Sequence, residues 1–195
     1  MLKALRLSEI ADALNARLIG EDCAFAAVST DSRSIKPGQL FIALSGPNFD
    51  GHDYLAQVSE KGAVAALVER EVASAPLSQL LVADTRRALG QLGALNRQAF
   101  GGPLVAVTGS SGKTTVKEML ASILREAFVE HGSAVLATRG NLNNELGAPL
   151  TLLELGAEHK AAVIELGASG VGEIAYTVSL AKPQVAIITN AGTAH

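Results

Sequence analysis

The sequence predicts an α/β chain: a small N-terminal α/β domain followed by part of a second α/β domain with a mainly parallel sheet. Two observations lead there. Short runs rich in Val, Ile, Leu and Ala alternate with segments whose apolar residues recur at helical spacing, the pattern of parallel strands joined by crossover helices. The string LVAVTGSSGKTT, residues 104–115, joins a buried-type strand to a helix through a glycine-serine turn.

In chain order, residues 2–5 read as a short strand and a helix capped near Ser8 follows. Strands are expected at 26–30, 40–44, 63–68 and 80–83, with a helix starting near His52, and residues 1–83 make the first domain. Residues 84–102 form a linking helix, because Leu89, Leu92 and Leu95 share one face before Gly101, Gly102 and Pro103 break the pattern. The domain boundary falls in this helix. Residues 103–195 then alternate strands at 104–108, 133–137, 161–166 and 184–189 with helices near 114–128, 144–154 and 170–181. On the first of these helices Met119, Leu120, Ile123 and Leu124 are expected on one side.

Composition narrows the functional classes. With 48% hydrophobic residues the chain can bury real cores, and a net charge of -3 without a basic stripe argues against nucleic acid as a partner. Cys23 is the single cysteine, so no internal disulfide forms and a reducing, cytoplasmic setting is expected. No apolar run approaches the roughly 20 residues of a membrane span, and the N-terminal segment lacks a signal-peptide core.

The turn at 109–113 predicts a phosphate site and makes the second unit a P-loop central domain. Strand, glycine loop and helix follow in order, so the amides of Gly109, Ser110, Ser111, Gly112 and Lys113 and the opening N–H groups of the helix converge where the helix dipole favours an anion. Lys113 adds a full positive charge. The strict pattern wants glycine at the position of Val107, which implies that the strand runs on to Thr108 and the turn is short. The plainer alternative is a glycine turn carrying a surface lysine.

Other polar residues gather at the same expected edge. Glu165 closes the apolar strand AAVIE and, with Thr114, has the oxygen chemistry of a magnesium ligand; otherwise it caps the turn after it. His195 follows the last strand by a few residues, placed either for a metal or phosphate or simply in solvent. His131 and His159 are read as solvent-facing. Asn141, Asn143 and Asn144, with Arg139, can hold a neutral polar ligand, or form a turn with Asn144 capping the next helix. In the first domain, TDSRSIKPG and GPNFDGHDY bracket a strand as two possible ligand loops, though turn chemistry explains them equally.

Taken in order, TDSR with KPGQLFIAL, GPNFDGHDY, VTGSSGKTT, GNLNNELGAP, VIELGASGVGEIAY and NAGTAH resemble the Mur ligases of peptidoglycan synthesis. The resemblance spans almost the whole chain, and GSSGKT, NLNN and ELGA followed by GEIA point to the branch acting on a UDP-linked tripeptide. Family members also carry valine at the position of Val107. The resemblance implies that residues 1–83 bind the UDP substrate and that Gly109, Ser110, Ser111, Gly112, Lys113, Thr114 and Thr115 hold ATP phosphates. It implies Lys113 on the transferring group, Thr114 and Glu165 on Mg2+, and His195 on a second Mg2+. Ser32, Arg33, Asn48, Asp50 and His52 would lie by the uridine nucleotide, and Asn141, Asn143 and Asn144 by the sugar-peptide part.

The implied activity is ATP-dependent joining of D-alanyl-D-alanine to UDP-N-acetylmuramoyl-tripeptide through an acyl phosphate, by a cytoplasmic monomer. Family members continue past NAGTAH with a carbamylated lysine, more strands and a third domain. The chain is therefore expected to be a fragment with little or no ligase activity alone. Three alternatives stay open: a sister ligase or folylpolyglutamate synthase relative, a simple phosphotransferase, and a nucleotide-binding module without catalysis.

Overall fold

Among the described residues, the two main sheets have five strands in the N-terminal part and four in the C-terminal part. A computed structural model of the chain describes residues 1–131 and 134–192. It divides into two units, Lys3–Leu92 and Met1–Leu2 with Gly93 onward, so the division falls inside a single helix.

The N-terminal unit runs β1 (Leu5–Arg6), α1 (Leu7–Leu14), β2 (Arg17–Ile19), β3 (Ala24–Phe25), β4 (Ala27–Ser29) and β5 (Gln39–Ile42). A short ribbon of β6 (Ser45–Gly46) and β7 (Phe49–Asp50) leads through a 3-10 turn, Gly51–Tyr54, into α2 (Leu55–Glu60), β8 (Ala65–Val68) and β9 (Ser78–Leu81). The strand order is β2-β9-β8-β5-β4, parallel throughout except that β2 runs antiparallel to β9. β8 is buried at every residue, the state of an interior parallel strand covered on both faces. On one of those faces Phe41, Ala66 and Val68 pack with Leu55 and Val58 of α2.

Two details differ from the sequence expectation here. The strand expected at 2–5 shrinks to Leu5–Arg6, which pairs with Ala24–Phe25, while Leu2 donates its N–H to Asn96 at 3.0 Å. The first helix begins before Ser8, whose N–H and hydroxyl instead both bond Asp22, at 3.0 and 2.8 Å.

The helix α3 (Thr85–Ala99) follows, and the C-terminal unit continues as β10 (Leu104–Thr108), α4 (Lys113–Ala127), β11 (Val135–Ala137), α5 (Gly147–Leu153), β12 (Ala161–Glu165), α6 (Glu173–Ala181) and β13 (Val185–Ile188). All four strands are parallel in the order β11-β12-β10-β13. Because side chains alternate across a strand, Leu104, Ala106, Ala162 and Ile164 meet Leu152 and Leu180 on one face, while Val107, Ala161 and Val163 meet α4 on the other. The helices thus cover both faces. On α4 it is Val116, Leu120 and Leu124 that pack inward, whereas Met119 and Ile123 are exposed.

This register sets the site. Val107 lies opposite Glu165 on β12, and Thr108 opposite Ile188 on β13, so three strands end level. The winding order switches sides about β10, since β11 and β12 lie to one side of it and β13 to the other. A crevice opens at the carboxyl ends of such strands.

Candidate active site

The phosphate-loop string is a strand, a four-residue turn and a helix. β10 ends at Thr108, as Val107 predicted, and α4 begins at Lys113. Gly109 at φ +137° and Gly112 at φ +76° occupy backbone regions that L side chains avoid. A Cβ on Gly109 would also strike the Thr189 hydroxyl. Lys113 folds back so that its ammonium donates to the Gly109 carbonyl at 2.7 Å. The helix leaves the N–H groups of its first turn without intrahelical acceptors at the positive end of its dipole, and its first residue, Lys113, borders a crevice.

Not every loop amide is free. The N–H groups of Ser110 and Ser111 both donate to Oδ1 of Asn190, at 2.9 and 3.1 Å. Asn190 in turn donates from Nδ2 to the Ser111 hydroxyl at 2.6 Å, and Thr189 donates its hydroxyl to the Ser111 carbonyl at 2.6 Å. The segment after β13 therefore lies along the loop, a contact that sequence reading did not anticipate.

Glu165 ends β12 and is only 2% exposed. Its carboxylate accepts from the Thr114 hydroxyl at 3.0 Å and from the Asn143 side-chain amide at 2.8 Å. Its backbone N–H donates to the Thr138 hydroxyl at 2.9 Å. Behind it, the ammonium of Lys117, also 2% exposed, donates to the Thr138 carbonyl at 2.7 Å and pairs with Glu118 at 2.8 Å. This pairing pulls the Glu118 carboxyl below its ordinary value.

Thus Thr114, expected beside Glu165, and Asn143, expected at the sugar-peptide part instead, both converge on the Glu165 carboxylate. A crevice of about 1020 Å³ beside them is bordered by Gly109, Lys113, Asn143, Asn144, Ser169 and Asn190 among others. Asn144 accepts from the N–H groups of Leu146 and Gly147, at 3.2 and 2.8 Å, and so caps the start of α5 while reaching the crevice. Asn141 is exposed and does not border it. Ser110 and Ser111 border it, and Thr115 is exposed on α4. His195 lies outside the described residues.

The hard oxygen donors fit a magnesium ion. A nucleotide-bound magnesium takes only one or two protein oxygens, and the Glu165 carboxylate with the adjoining Thr114 hydroxyl supplies that set.

In the N-terminal unit a second cleft, of about 480 Å³, is bordered by Asp31, Ser32, Arg33, Phe49, Tyr54 and Gln57 among others. Phe49 and Tyr54, both within the GPNFDGHDY loop that the sequence offered as a ligand loop, are large, half-exposed aromatic side chains. Arg33 grips Asp31 through two bonds of 2.9 Å, holding that carboxyl at about 2. The Lys61 ammonium fixes the loop from behind by donating to the carbonyls of Ser32 and Arg33, at 2.8 and 3.1 Å.

Asp50 and His52 do not border this cleft. His52 is 2% exposed; its Nε2 accepts the Glu69 N–H at 2.9 Å, so Nδ1 carries the proton and donates to Asp50 at 2.6 Å. Burial works to raise the Asp50 carboxyl, yet the His52 N–H and ring, Arg70 and Ser45 together hold it well below the usual carboxylate range. These two residues shape the loop from within. Asn48 is exposed beside Phe49.

A strand-loop-helix turn of the phosphate-loop kind, a buried strand-end carboxylate held by a helix hydroxyl and an asparagine, and a polar cleft in the preceding α/β unit define a two-unit α/β protein, which comparison with known proteins makes specific. The Mur ligase middle domain matches residues 107–195, and the Mur ligase family catalytic domain matches residues 24–97. The chain belongs to the Mur ligase family.

Its sequence is 49% identical over 98% of its length to the UDP-N-acetylmuramoyl-tripeptide–D-alanyl-D-alanine ligase of Escherichia coli, of which it covers 41%. The ligase of the same name from Bacillus subtilis is 42% identical over 86% of the chain, which covers 36% of it. The crystal structure of MurF from Acinetobacter baumannii superposes over the full chain with a TM-score of 0.89 and 46% identity, the chain covering 42% of it. MurF from Thermotoga maritima, solved in complex with ADP, superposes over 87% of the chain with a TM-score of 0.76 and 36% identity, the chain covering 38% of it. The chain thus spans about two fifths of the length of these relatives.

Proposed function

We propose that this chain is the UDP-substrate-binding unit and part of the nucleotide-binding unit of a cytoplasmic, monomeric ligase that joins D-alanyl-D-alanine to UDP-N-acetylmuramoyl-tripeptide at the expense of ATP. The observation that carries the reading is the convergence of Thr114, next in sequence to the Lys113 loop, and Asn143 on buried Glu165. In support, the relatives named above carry that activity in their names, and one of them holds ADP.

The chemistry asks the protein for positioning and charge neutralisation. A carboxylate is a poor electrophile because oxide would have to leave; transfer of the γ-phosphoryl group to the tripeptide carboxylate makes phosphate the leaving group. The amine of the dipeptide then attacks the acyl carbon, forming the amide and releasing phosphate. Lys113 and the free helix N–H groups bind and orient the polyphosphate as charge spreads in a loose phosphoryl-transfer state. Bound magnesium would screen the phosphate oxygens, held by Glu165 and Thr114. Asn143 fixes the rotamer of Glu165, and with Asn144 presents amides to the crevice that carries the sugar-peptide end. In the first unit, Ser32, Arg33 and the loop through Asn48, shaped from inside by Asp50 and His52, receive the uridine nucleotide.

Since the chain covers two fifths of these relatives, the test is made on binding. Calorimetry with an ATP analogue and with UDP-N-acetylmuramoyl-tripeptide separately is expected to give two heats. Lys113→Ala should remove only the nucleotide heat. Loss of both, or of neither, would sink the assignment of two sites.

A further inference from the structure

Asn190 holds the two loop amides that a phosphate oxygen would need. Its Oδ1 accepts from the consecutive N–H groups of Ser110 and Ser111, which is the way a single anionic oxygen is gripped by a loop of successive amides. The side chain borders the same crevice as Lys113 and Gly109, and Asn190 itself is exposed. No core packing explains the contact.

The neighbouring bonds tie the whole segment to the loop. The Ser110 hydroxyl donates to the Gly192 carbonyl at 2.8 Å and accepts the Gly192 N–H at 3.0 Å, while Thr189 holds the Ser111 carbonyl. If Asn190 leaves the two N–H groups, these other bonds can persist, because Thr189 and Gly192 use the Ser110 hydroxyl and the Ser111 carbonyl instead. Apart from a long bond of 3.4 Å from the Ser110 N–H to the Asn190 backbone carbonyl, the loop therefore has a replaceable ligand on its amides and a lasting brace on its other atoms.

We propose that Asn190 is a placeholder: its side-chain oxygen occupies the Ser110–Ser111 amide pair in the nucleotide-free state and is displaced by a phosphate oxygen of the incoming nucleotide. The idea rests on the phosphate-site reading above. A neutral amide oxygen suits this role, since it satisfies donors that would otherwise stand bare yet binds them more weakly than a charged phosphate oxygen does. The displaced Asn190 retains its bond to the Ser111 hydroxyl or turns to solvent, and the segment after β13 is coupled to nucleotide occupancy.

The experiment is calorimetric titration of this chain with ADP and magnesium at fixed ionic strength, in the unchanged chain and in N190A, N190D and K113A. Removing the competitor in Asn190→Ala is expected to tighten ADP by about fivefold, the worth of one net hydrogen bond. Asn190→Asp should weaken it tenfold or more, because a carboxylate holds the same amides harder and repels phosphate. In the unchanged chain, the Asn190 side-chain amide resonances should move on saturation with ADP.

The two readings fail differently. ADP binding that Lys113→Ala abolishes but Asn190→Ala leaves equal or weaker would overturn the placeholder and leave the phosphate site standing; the asparagine would then be a brace. No ADP heat in any of the four chains would remove the phosphate site and the placeholder with it.

Discussion

Lys117 is the residue whose chemistry is least expected from its place in the sequence, a nearly fully buried lysine one turn into the phosphate helix. A buried ammonium is costly unless it is paired and hydrogen-bonded, and here Glu118 and the Thr138 carbonyl do both. Thr138 is itself 1% exposed and accepts the Glu165 N–H, so Lys117 fixes the peptide that fixes the carboxylate. Lys117→Met keeps the aliphatic stem but strands the Thr138 carbonyl. It should cost about 1–3 kcal/mol in a urea unfolding midpoint. A midpoint unchanged from the parent chain would show that water replaces the ammonium and that the contact is incidental.

At this scale the sequence made part of the candidate site legible. Lys113, Thr114 and Glu165 were readable because each sits at the junction of an element whose periodicity is plain. Asn190 was not: it meets Ser110 and Ser111 some 80 positions away in the chain, and nothing local distinguishes it from the residue of an ordinary turn. Only the adjacency of β10 and β13 brings them together. His52 invited the opposite error, since a histidine in a glycine-rich loop looks available, whereas its two nitrogens are both satisfied within the fold.

Among the elements, the strands of the two main sheets were legible except β2, and the two-residue pieces were not. β8, β10 and β12 are continuous apolar runs because parallel strands are covered on both faces. β2, with the burial pattern of a half-exposed strand and only three residues, gives neither an apolar run nor a clear alternation. The two-residue pieces β1, β3, β6 and β7 are too short to show any period at all. On α4 the apolar residues exceed the width of the buried stripe, which is why Met119 and Ile123 could not be told from Leu120 and Leu124 by spacing alone.

The element that links the units also offers a test. Asn96 of α3 is 4% exposed; its amide nitrogen donates to the carbonyls of Leu152 and Leu155, at 2.8 and 3.0 Å, and its oxygen accepts the Leu2 N–H. The Leu152 carbonyl lies in the last turn of α5 and also accepts the Leu155 N–H at 3.3 Å, while the Leu155 carbonyl lies just past the helix. Asn96→Ala takes the side-chain donor from both carbonyls and should lower stability by about 1–2 kcal/mol, more than Asn96→Asp if the acid is protonated at low pH and can still donate once. Thermal denaturation followed by circular dichroism would decide, and a loss below about 0.5 kcal/mol would mean that solvent reaches the carbonyls.

For the whole molecule, charge is distributed unequally in its consequences. The three aspartates held clearly below their ordinary value of 3.8, Asp22, Asp31 and Asp50, all belong to the N-terminal unit. Asp22 and Asp31 are held at about 2, chiefly by the Arg6 and Arg33 side chains, and are too exposed for their pairing to weigh much in stability. Asp50 is the partly sheltered one, the acceptor for Ser45, His52 and Arg70 at once. A depressed folded-state value means that the unfolded chain binds the proton first. The stabilisation is therefore complete above the ordinary carboxylate value and is lost as pH falls through the folded one. Asp50→Asn should accordingly destabilise the chain at pH 7, on the order of 1 kcal/mol, while the gap to the parent narrows toward pH 2 because the unfolded parent chain takes up a proton there that the folded carboxyl does not. Urea midpoints at both pH values measure this directly. A gap that stays constant, or widens, with acid would show that Asp50 acts through its shape and hydrogen-bonding pattern rather than through its charge, and that acid sensitivity of this unit begins elsewhere.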